Sequence, residues 1–233
     1  MFQPGLAALS GQEMSEAPPD WHAGPAADLL KGLLMPDDPR PVLGLPELLQ
    51  PARLDRTLLH VYGPELMPSQ LPVLVSQWSK YYFMQFWPAL LVPRLMHGWQ
   101  LPLGFAEVAI ALDERGLPVA LKPLAIGVAG DAALESVIQA NLRPVIDALS
   151  EYGAVSAAVL WGNAGDYLEQ CIVALEQRLG SELPPARRLL ESSGSPLYGA
   201  VRYLDDGRRQ RRSCCLSFQV EWVGHCEHCP LCP

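Results

Sequence analysis

Apolar residues change their spacing several times along this chain, and each change predicts a different kind of element. From Pro25 to about Pro68 they come in short bursts between prolines (ADLLKGLL, GLPELLQ, ARLDRTLLHVYG), which predicts short helices with abrupt ends. Residues 69–97 are apolar and aromatic almost throughout. Ser69 is placed to cap a helix there, and Pro88 should kink or end it, giving two helices or one bent one. Near Gly104 the spacing shortens. Phe105 to Leu112 alternates imperfectly, Leu117 to Leu121 is short and apolar, and Asp113-Glu114-Arg115-Gly116 between them is a turn signal, so a β-hairpin is expected.

Helical spacing then returns. Leu134, Val137, Ile138, Leu142, Val145, Ile146 and Leu149 form one apolar face, with Asp131 as the expected cap, Gly153 as the expected stop and Pro144 as a bend. Leu168, Cys171, Ile172, Leu175 and Leu179 form a second stripe, closed by Gly180. Cys171 lies within that stripe and reads as packing. One more short helix (PARRLLESS), an extended piece (LYGAVRYL) and a strand over Leu216–Val223 complete the pattern. No internal repeat is visible. The sum predicts an α+β fold, helix-rich, with a small antiparallel sheet.

Composition narrows the function. The chain has 233 residues, 49% hydrophobic and 18% charged, so a sizeable core can be buried. A net charge of −8 opposes nucleic-acid phosphates, so no nucleic-acid partner is expected. The most apolar stretch, Tyr81 to Pro93, is too short for a bilayer span of about 20 residues. Residues 1–20 lack a basic start and a continuous apolar run. The expectation is a cytoplasmic chain in a reducing compartment, where clustered cysteines serve metals or catalysis more than disulfides.

Five of the six cysteines lie between positions 214 and 232. A Cys-x-x-Cys turn brings two sulfurs to one small centre, so Cys226 and Cys229 are natural partners, and Pro230 stiffens their loop. Cys214 and Cys215 are adjacent. In a regular strand such neighbours face opposite ways, so if both serve one centre the backbone must bend between them, with the pair capping the start of a strand rather than sitting inside one. The ten residues between, LSFQVEWVGH, suffice to run out and return at Gly224. A [2Fe–2S] cluster needs four thiolates. Structural zinc is the rival: the second knuckle suits it, and His225 or His228 can supply nitrogen, but an adjacent pair chelates a tetrahedral ion poorly. A disulfide framework comes third.

The run CCLSFQVEWVGHCEHCPL at 214–231 resembles the C-terminal motif of the FhuF-type ferric-siderophore reductases, Cys-Cys-x10-Cys-x2-Cys, with no insertion. The lead-in RRQRRSCC and, more loosely, LWGNAGDYL at 160–168 are similar to segments of the same family. The resemblance implies a [2Fe–2S] cluster held by Cys214, Cys215, Cys226 and Cys229, with Cys232 outside the four-cysteine pattern. It implies an enzyme that passes one electron to siderophore-bound Fe(III), the siderophore of hydroxamate type and the donor a ferredoxin, flavodoxin or small reductase. An iron–sulfur carrier or redox sensor and a zinc-stapled scaffold are the other readings.

Roles follow as expectations. Arg208, Arg209, Arg211 and Arg212 offset the cluster's charge or guide an anionic chelate or acidic donor. His225 or His228 can donate to a sulfur, although exposure suits them equally. Phe218 and Trp222 read as strand packing. Asn163 reads as structural, a helix interruption or a buried hydrogen bond. The aromatic run from Trp78 to Trp87, with Trp99, reads as core. Three regions are expected: proline-rich 1–68, a core of helices and hairpin over 69–207 that binds substrate, and the cluster segment 208–233.

Overall fold

A computed structural model describes residues 19–21, 23–130, 133–220 and 223–232. A 3-10 turn at Ala27–Leu30 leads to strand β1 (Leu43–Gly44), the one-turn helix α1 (Leu45–Leu48) and helix α2 (Pro51–Tyr62). Both helices begin on a proline in their first turn, where the missing N–H would have had no partner. The expected short, proline-bounded pieces are therefore present. Their leucines, among them Leu30, Leu48, Leu54 and Leu58, join the main buried cluster.

Helix α3 (Met67–His97) runs unbroken through Pro72, Pro88 and Pro93. Of the two expected forms, two helices or one, the structure has one. Ser69 lies inside the first turn rather than capping it. At 31 residues the helix is about 46 Å long. Each internal proline forfeits a backbone hydrogen bond, at about 3 kcal/mol in an exposed helix. Here consecutive residues are buried, Val73 to Ser76 and again Ala89 to Pro93, with α2, strand β4 (Pro118–Pro123) and two later helices packed around them. Tertiary contacts, not local propensity, hold such a helix. Trp78, Tyr82, Phe83, Phe86 and Trp87 are fully buried, so the aromatic run is core. Their polar atoms find partners: the Tyr82 hydroxyl donates to Asn141 Oδ1 (2.7 Å) and Trp87 Nε1 to the Ala164 carbonyl (2.8 Å).

Short strand β2 (Trp99–Gln100) pairs with β5 (Val128–Ala129), and the expected hairpin forms from β3 (Val108–Leu112) and β4. Phe105–Glu107 is a 3-10 turn rather than part of the strand. Asp113 Oδ1 accepts from the backbone N–H groups of Arg115 and Leu117, both at 2.9 Å, and Gly116 takes the left-handed φ of +92° that the turn requires. Strand β1 adds antiparallel to β3, giving the order β1-β3-β4.

A π-turn at Ile138–Leu142 precedes helix α4 (Arg143–Gly153). The bend expected from Pro144 thus takes the form of a π-turn that hands over to an α-helix with proline in its first turn. Asp131, the expected cap, lies outside the described residues. Gly153 is the last helical residue, and the left-handed position falls on Ala154 (φ +47°). Glycine is needed at 153 for another reason: a Cβ there would meet Val75 Cγ2 of α3 at 2.7 Å. Gly153→Ala is therefore expected to lower stability by about 1–3 kcal/mol through overpacking, despite alanine's better helix propensity. A denaturant midpoint no lower than that of the parent chain would refute the contact.

Helix α5 (Ala157–Leu179) is capped by the Ser156 side chain and ends at Gly180, which is left-handed as expected. Helix α6 (Pro184–Glu191) follows, then hairpin strands β6 (Val201–Tyr203) and β7 (Arg209–Arg211). Beyond β7 the expected strand over Leu216–Val223 is absent among the described residues; a 3-10 turn at Ser217–Gln219 stands there, and Trp222 lies outside them. No helix among the described residues is long and apolar enough to cross a membrane.

Candidate metal centre

The cysteine segment is built onto α3 and α5 by strand β7. Arg209 and Arg211 alternate with Gln210, so both turn toward the same face, and that face is α5. Arg209 pairs with Asp166 and Glu169, each at 2.6 Å, and Arg211 pairs with Asp166 at 3.0 Å. Arg211 also donates to Asn163 Oδ1, and the Tyr203 hydroxyl donates to Glu169. Two cations and two anions balance in a site where the Arg211 side chain is only 3% exposed. Asn163 donates onward to the Ser76 carbonyl (2.9 Å) and to Ser79 Oγ (3.0 Å) of α3.

The Trp161-Gly162-Asn163 segment therefore lies inside an uninterrupted helix, and Asn163 is the buried hydrogen-bonding residue of the two structural options. Its neighbouring glycines allow close approach. A Cβ at Gly162 would meet Ser213 Oγ at 1.8 Å, and one at Gly165 would meet Ala200 Cβ at 2.3 Å. Ser213 is thereby pressed against α5 just ahead of Cys214.

Cys215 is fixed by its carbonyl. Ser76 Oγ (2.8 Å) and Gln77 Nε2 (2.9 Å) of α3 both donate to it. The chain then turns sharply: Leu216 is left-handed at φ +66°, a conformation costing a non-glycine residue about 1–2 kcal/mol. Its N–H points to Cys214 Sγ at 3.3 Å. The left-handed turn comes immediately after the pair, not between its two members where the bend was expected. It replaces the expected strand, because a left-handed residue cannot continue an extended run. Ser217 Oγ then donates to the Gly224 carbonyl (2.9 Å), and Gly224, at φ +65°, returns the chain.

The later cysteines follow one another through tight turns, with Cys229 N donating to the Cys226 carbonyl (3.1 Å) and Cys232 N to that of Cys229 (3.4 Å). The N–H of Arg211 donates to the His228 carbonyl at 3.0 Å, so β7 carries the knuckle as well as the pair. Between the two halves, Cys215 and Cys226 lie in hydrogen-bonding reach of each other, while the group of ligand atoms gathered within 4.8 Å among the described residues is that of His225, Cys229 and Cys232. Cys215 is pulled well below the usual thiol range, first by a hydrogen bond from Cys226, with Lys80 and Ser217 adding to it; Cys226 is pushed up by giving that bond. Burial pushes the Cys229 thiol up, but hydrogen bonds from His225, the Leu231 backbone and Cys232 together outweigh it. Cys214, raised by burial, lies within electrostatic reach of Cys215, Cys229 and Arg211. The donor set is rich in thiolate sulfur, ringed by donors and close to cations, which suits an anionic iron–sulfur cluster.

Two further groups approach the same place. His225 Nδ1 lies 3.3 Å from Cys229 Sγ, and His225, Cys229 and Cys232 present ligand atoms within 4.8 Å of one another. His225 is an exposed ring near a sulfur, so both expected fates apply. Phe218 is neither in a strand nor buried; it stacks on His225 at 5.5 Å between ring centres. Of the four arginines expected to dock a partner, Arg209 and Arg211 turn inward to α5. Arg208 is exposed and paired with Asp206, and Arg212 is exposed with its guanidinium over the Tyr198 ring. The reading from sequence missed Ser76, Gln77, Asp166 and Glu169. Asp166 and Glu169, three apart on one helix, and the alternating arginines of β7 carried a signal for this pairing. Ser76 and Gln77 carried none.

Residues 76–207 match the family model described as ferric iron reductase FhuF-like transporter, beginning at the serine that holds the Cys215 carbonyl. Residues 211–231 match the FhuF 2Fe–2S C-terminal domain, a span that contains Cys214, Cys215, Cys226 and Cys229 and stops before Cys232. A ferric siderophore reductase of Escherichia coli (strain K12) is 24% identical over 187 residues, covering 74% of this chain and 71% of its own. The chain carries a C-terminal 2Fe–2S domain and belongs to the FhuF-like ferric iron reductase family.

Proposed function

We propose that this protein is a ferric-siderophore reductase in which Cys214, Cys215, Cys226 and Cys229 hold a [2Fe–2S] cluster that delivers one electron to the siderophore's Fe(III). The observation that supports the reading is that all four cysteines fall within the span matched to the 2Fe–2S domain, with Cys215 and Cys226 in hydrogen-bonding reach of each other. When bound, a cluster with four thiolates has no open coordination position and supplies single electrons to a partner brought close. The surrounding residues hold it: Ser76 and Gln77 seat the Cys215 carbonyl, and the pairs of Arg209 and Arg211 with α5 fix β7 beneath both halves.

The substrate chemistry is suited to one electron. Siderophores present hard oxygen donors that favour Fe(III) and hold Fe(II) far more weakly, so the gain of one electron turns a tight complex into one that releases its metal. We assign hydroxamates as the chelate class. The electron comes from a ferredoxin, a flavodoxin or a small reductase in the cytoplasm. Arg208 and Arg212, on the surface beside the cluster segment, guide the acidic donor, while Arg209 and Arg211 act through the fold.

Anaerobically purified protein is expected to be red-brown, to bleach with dithionite, and then to be reoxidised faster by a ferric hydroxamate than by ferric citrate. A colourless protein with one zinc would remove the reading. Equal rates with every iron complex would make the protein a general carrier instead.

A further inference from the structure

We propose that the chelate is held in the cleft between α3, α5 and the cysteine knuckle, one face against Cys226 and its oxygen shell bonded by Lys80, Tyr167 and Gln170. This rests on the reductase reading above and adds a binding site to it. The cleft encloses about 190 Å³, and Glu227 and His228 also line it. Because Cys226 forms part of its wall, a molecule seated there meets a sulfur of the centre with no helix between.

The lining suits this occupant. A ferric hydroxamate exposes carbonyl and N–O oxygens, which only accept hydrogen bonds. The cleft offers donors: the Lys80 ammonium, the Tyr167 hydroxyl and the Gln170 amide, whose second N–H is open while the first goes to Asp166 (3.3 Å). Lys80 spends one of its three N–H groups on Gln77 Oε1 (2.8 Å), which leaves two. Asp166 and Arg211 on the floor already neutralise each other, so the floor favours a chelate of low net charge. Met84, one helical turn beyond Lys80, is 42% exposed and supplies an apolar rim for the methylene linkers of a trihydroxamate.

The other large cavities suit it less. Two of them, of about 280 and 340 Å³, reach Arg94. Arg94 stands fourteen residues beyond Lys80 on α3, about 21 Å away along the helix. Another of about 350 Å³ touches Cys229 and Cys232 from the opposite side of His228, but its arginines are engaged in ion pairs with Asp206, Asp166 and Glu169.

The test uses the holoprotein and the gallium(III) complex of a linear trihydroxamate, which has the shape and charge of the ferric complex but takes no electron. Calorimetric titration is expected to show binding to the parent chain. The double variant Lys80→Met/Tyr167→Phe should bind at least tenfold more weakly, each lost hydrogen bond being worth about fivefold. Gln170→Glu, on the exposed face of α5, turns a donor into an acceptor and should weaken binding as much, so the test stands even if the double variant folds poorly. The visible spectrum should keep its cluster bands in both, while the reduction potential should fall, since one variant removes a cation near Cys215 and the other adds an anion beside Asp166. No binding to the parent chain, binding within twofold in both variants, or weakening by Leu204→Ser in the opposite cavity would overturn the site. The two readings separate cleanly. Gallium complex bound but ferric complex not reduced removes the reductase and keeps the site; normal reduction of low ferric chelate concentrations by the variants removes the site and keeps the reductase.

Discussion

Serine at position 215 or 226 is expected to take the chain from two irons to near none. Cys215 is buried and held at its carbonyl by two side chains of α3, so its sulfur has little freedom to be replaced by another. Cys226 lies in hydrogen-bonding reach of it. A serine hydroxyl is a hard, weakly acidic ligand in a site built for soft thiolates. Cys214→Ser and Cys229→Ser should have the same direction of effect. Cys232→Ser should keep the full iron content and visible spectrum, since the match to the 2Fe–2S domain ends at residue 231. The measurement is iron and acid-labile sulfide per chain after anaerobic purification. The informative failure concerns Cys229, which has His225 and Cys232 within 4.8 Å. If Cys229→Ser kept its iron while Cys229→Ser/Cys232→Ser lost it, Cys232 would be a standby ligand. Loss in the single Cys232→Ser variant would overturn the ligand set itself.

What the sequence made legible was local. The β3–β4 turn was readable because Asp113 and Gly116 make its hydrogen bonds and its left-handed step themselves. Gly180 was readable for the same reason. The cysteine spacing carried the centre because sulfur chemistry tolerates few arrangements. The rest depended on partners far along the chain. Pro88 breaks an isolated helix, but α3 is enclosed by its neighbours and continues. Gly153 looked like a helix stop, yet its use is contact with Val75, some eighty positions earlier. The start of α5 escaped notice because its apolar stripe is weak there: Gly162 and Gly165 approach their neighbours with backbone rather than large side chains. The segment after Cys215 has the composition of a strand, and residues of α3 more than a hundred positions away hold it in a turn.

Arg211→Met is expected to destabilise the fold by about 3–5 kcal/mol, because it removes one partner from a buried ion-pair network and leaves a carboxylate under-compensated. For a chain of this size that is a fall in unfolding midpoint of roughly 6–20 °C. Methionine preserves much of the volume, so the loss is electrostatic: the bond to Asp166 and the one to Asn163 disappear, while Arg209 still holds Asp166 at 2.6 Å. The backbone bond from residue 211 to the His228 carbonyl survives the substitution. The knuckle should therefore stay on β7 while β7 loosens from α5, separating the sulfurs' support from α3, and iron content should fall together with stability. Arg208→Met is the comparison. That residue pairs with Asp206 across side chains more than half exposed, so its loss should cost under about 1 kcal/mol and depend on salt, where the Arg211 effect should not. In the double variant Asp166→Asn/Arg211→Met, Arg209 keeps Glu169 and the charges balance again, so the cost should be smaller than the two single losses added. Equal midpoints and full iron in Arg211→Met and Arg208→Met would mean that the buried ion pairs do not seat the metal centre, and that the hydrogen bonds of Ser76 and Gln77 suffice.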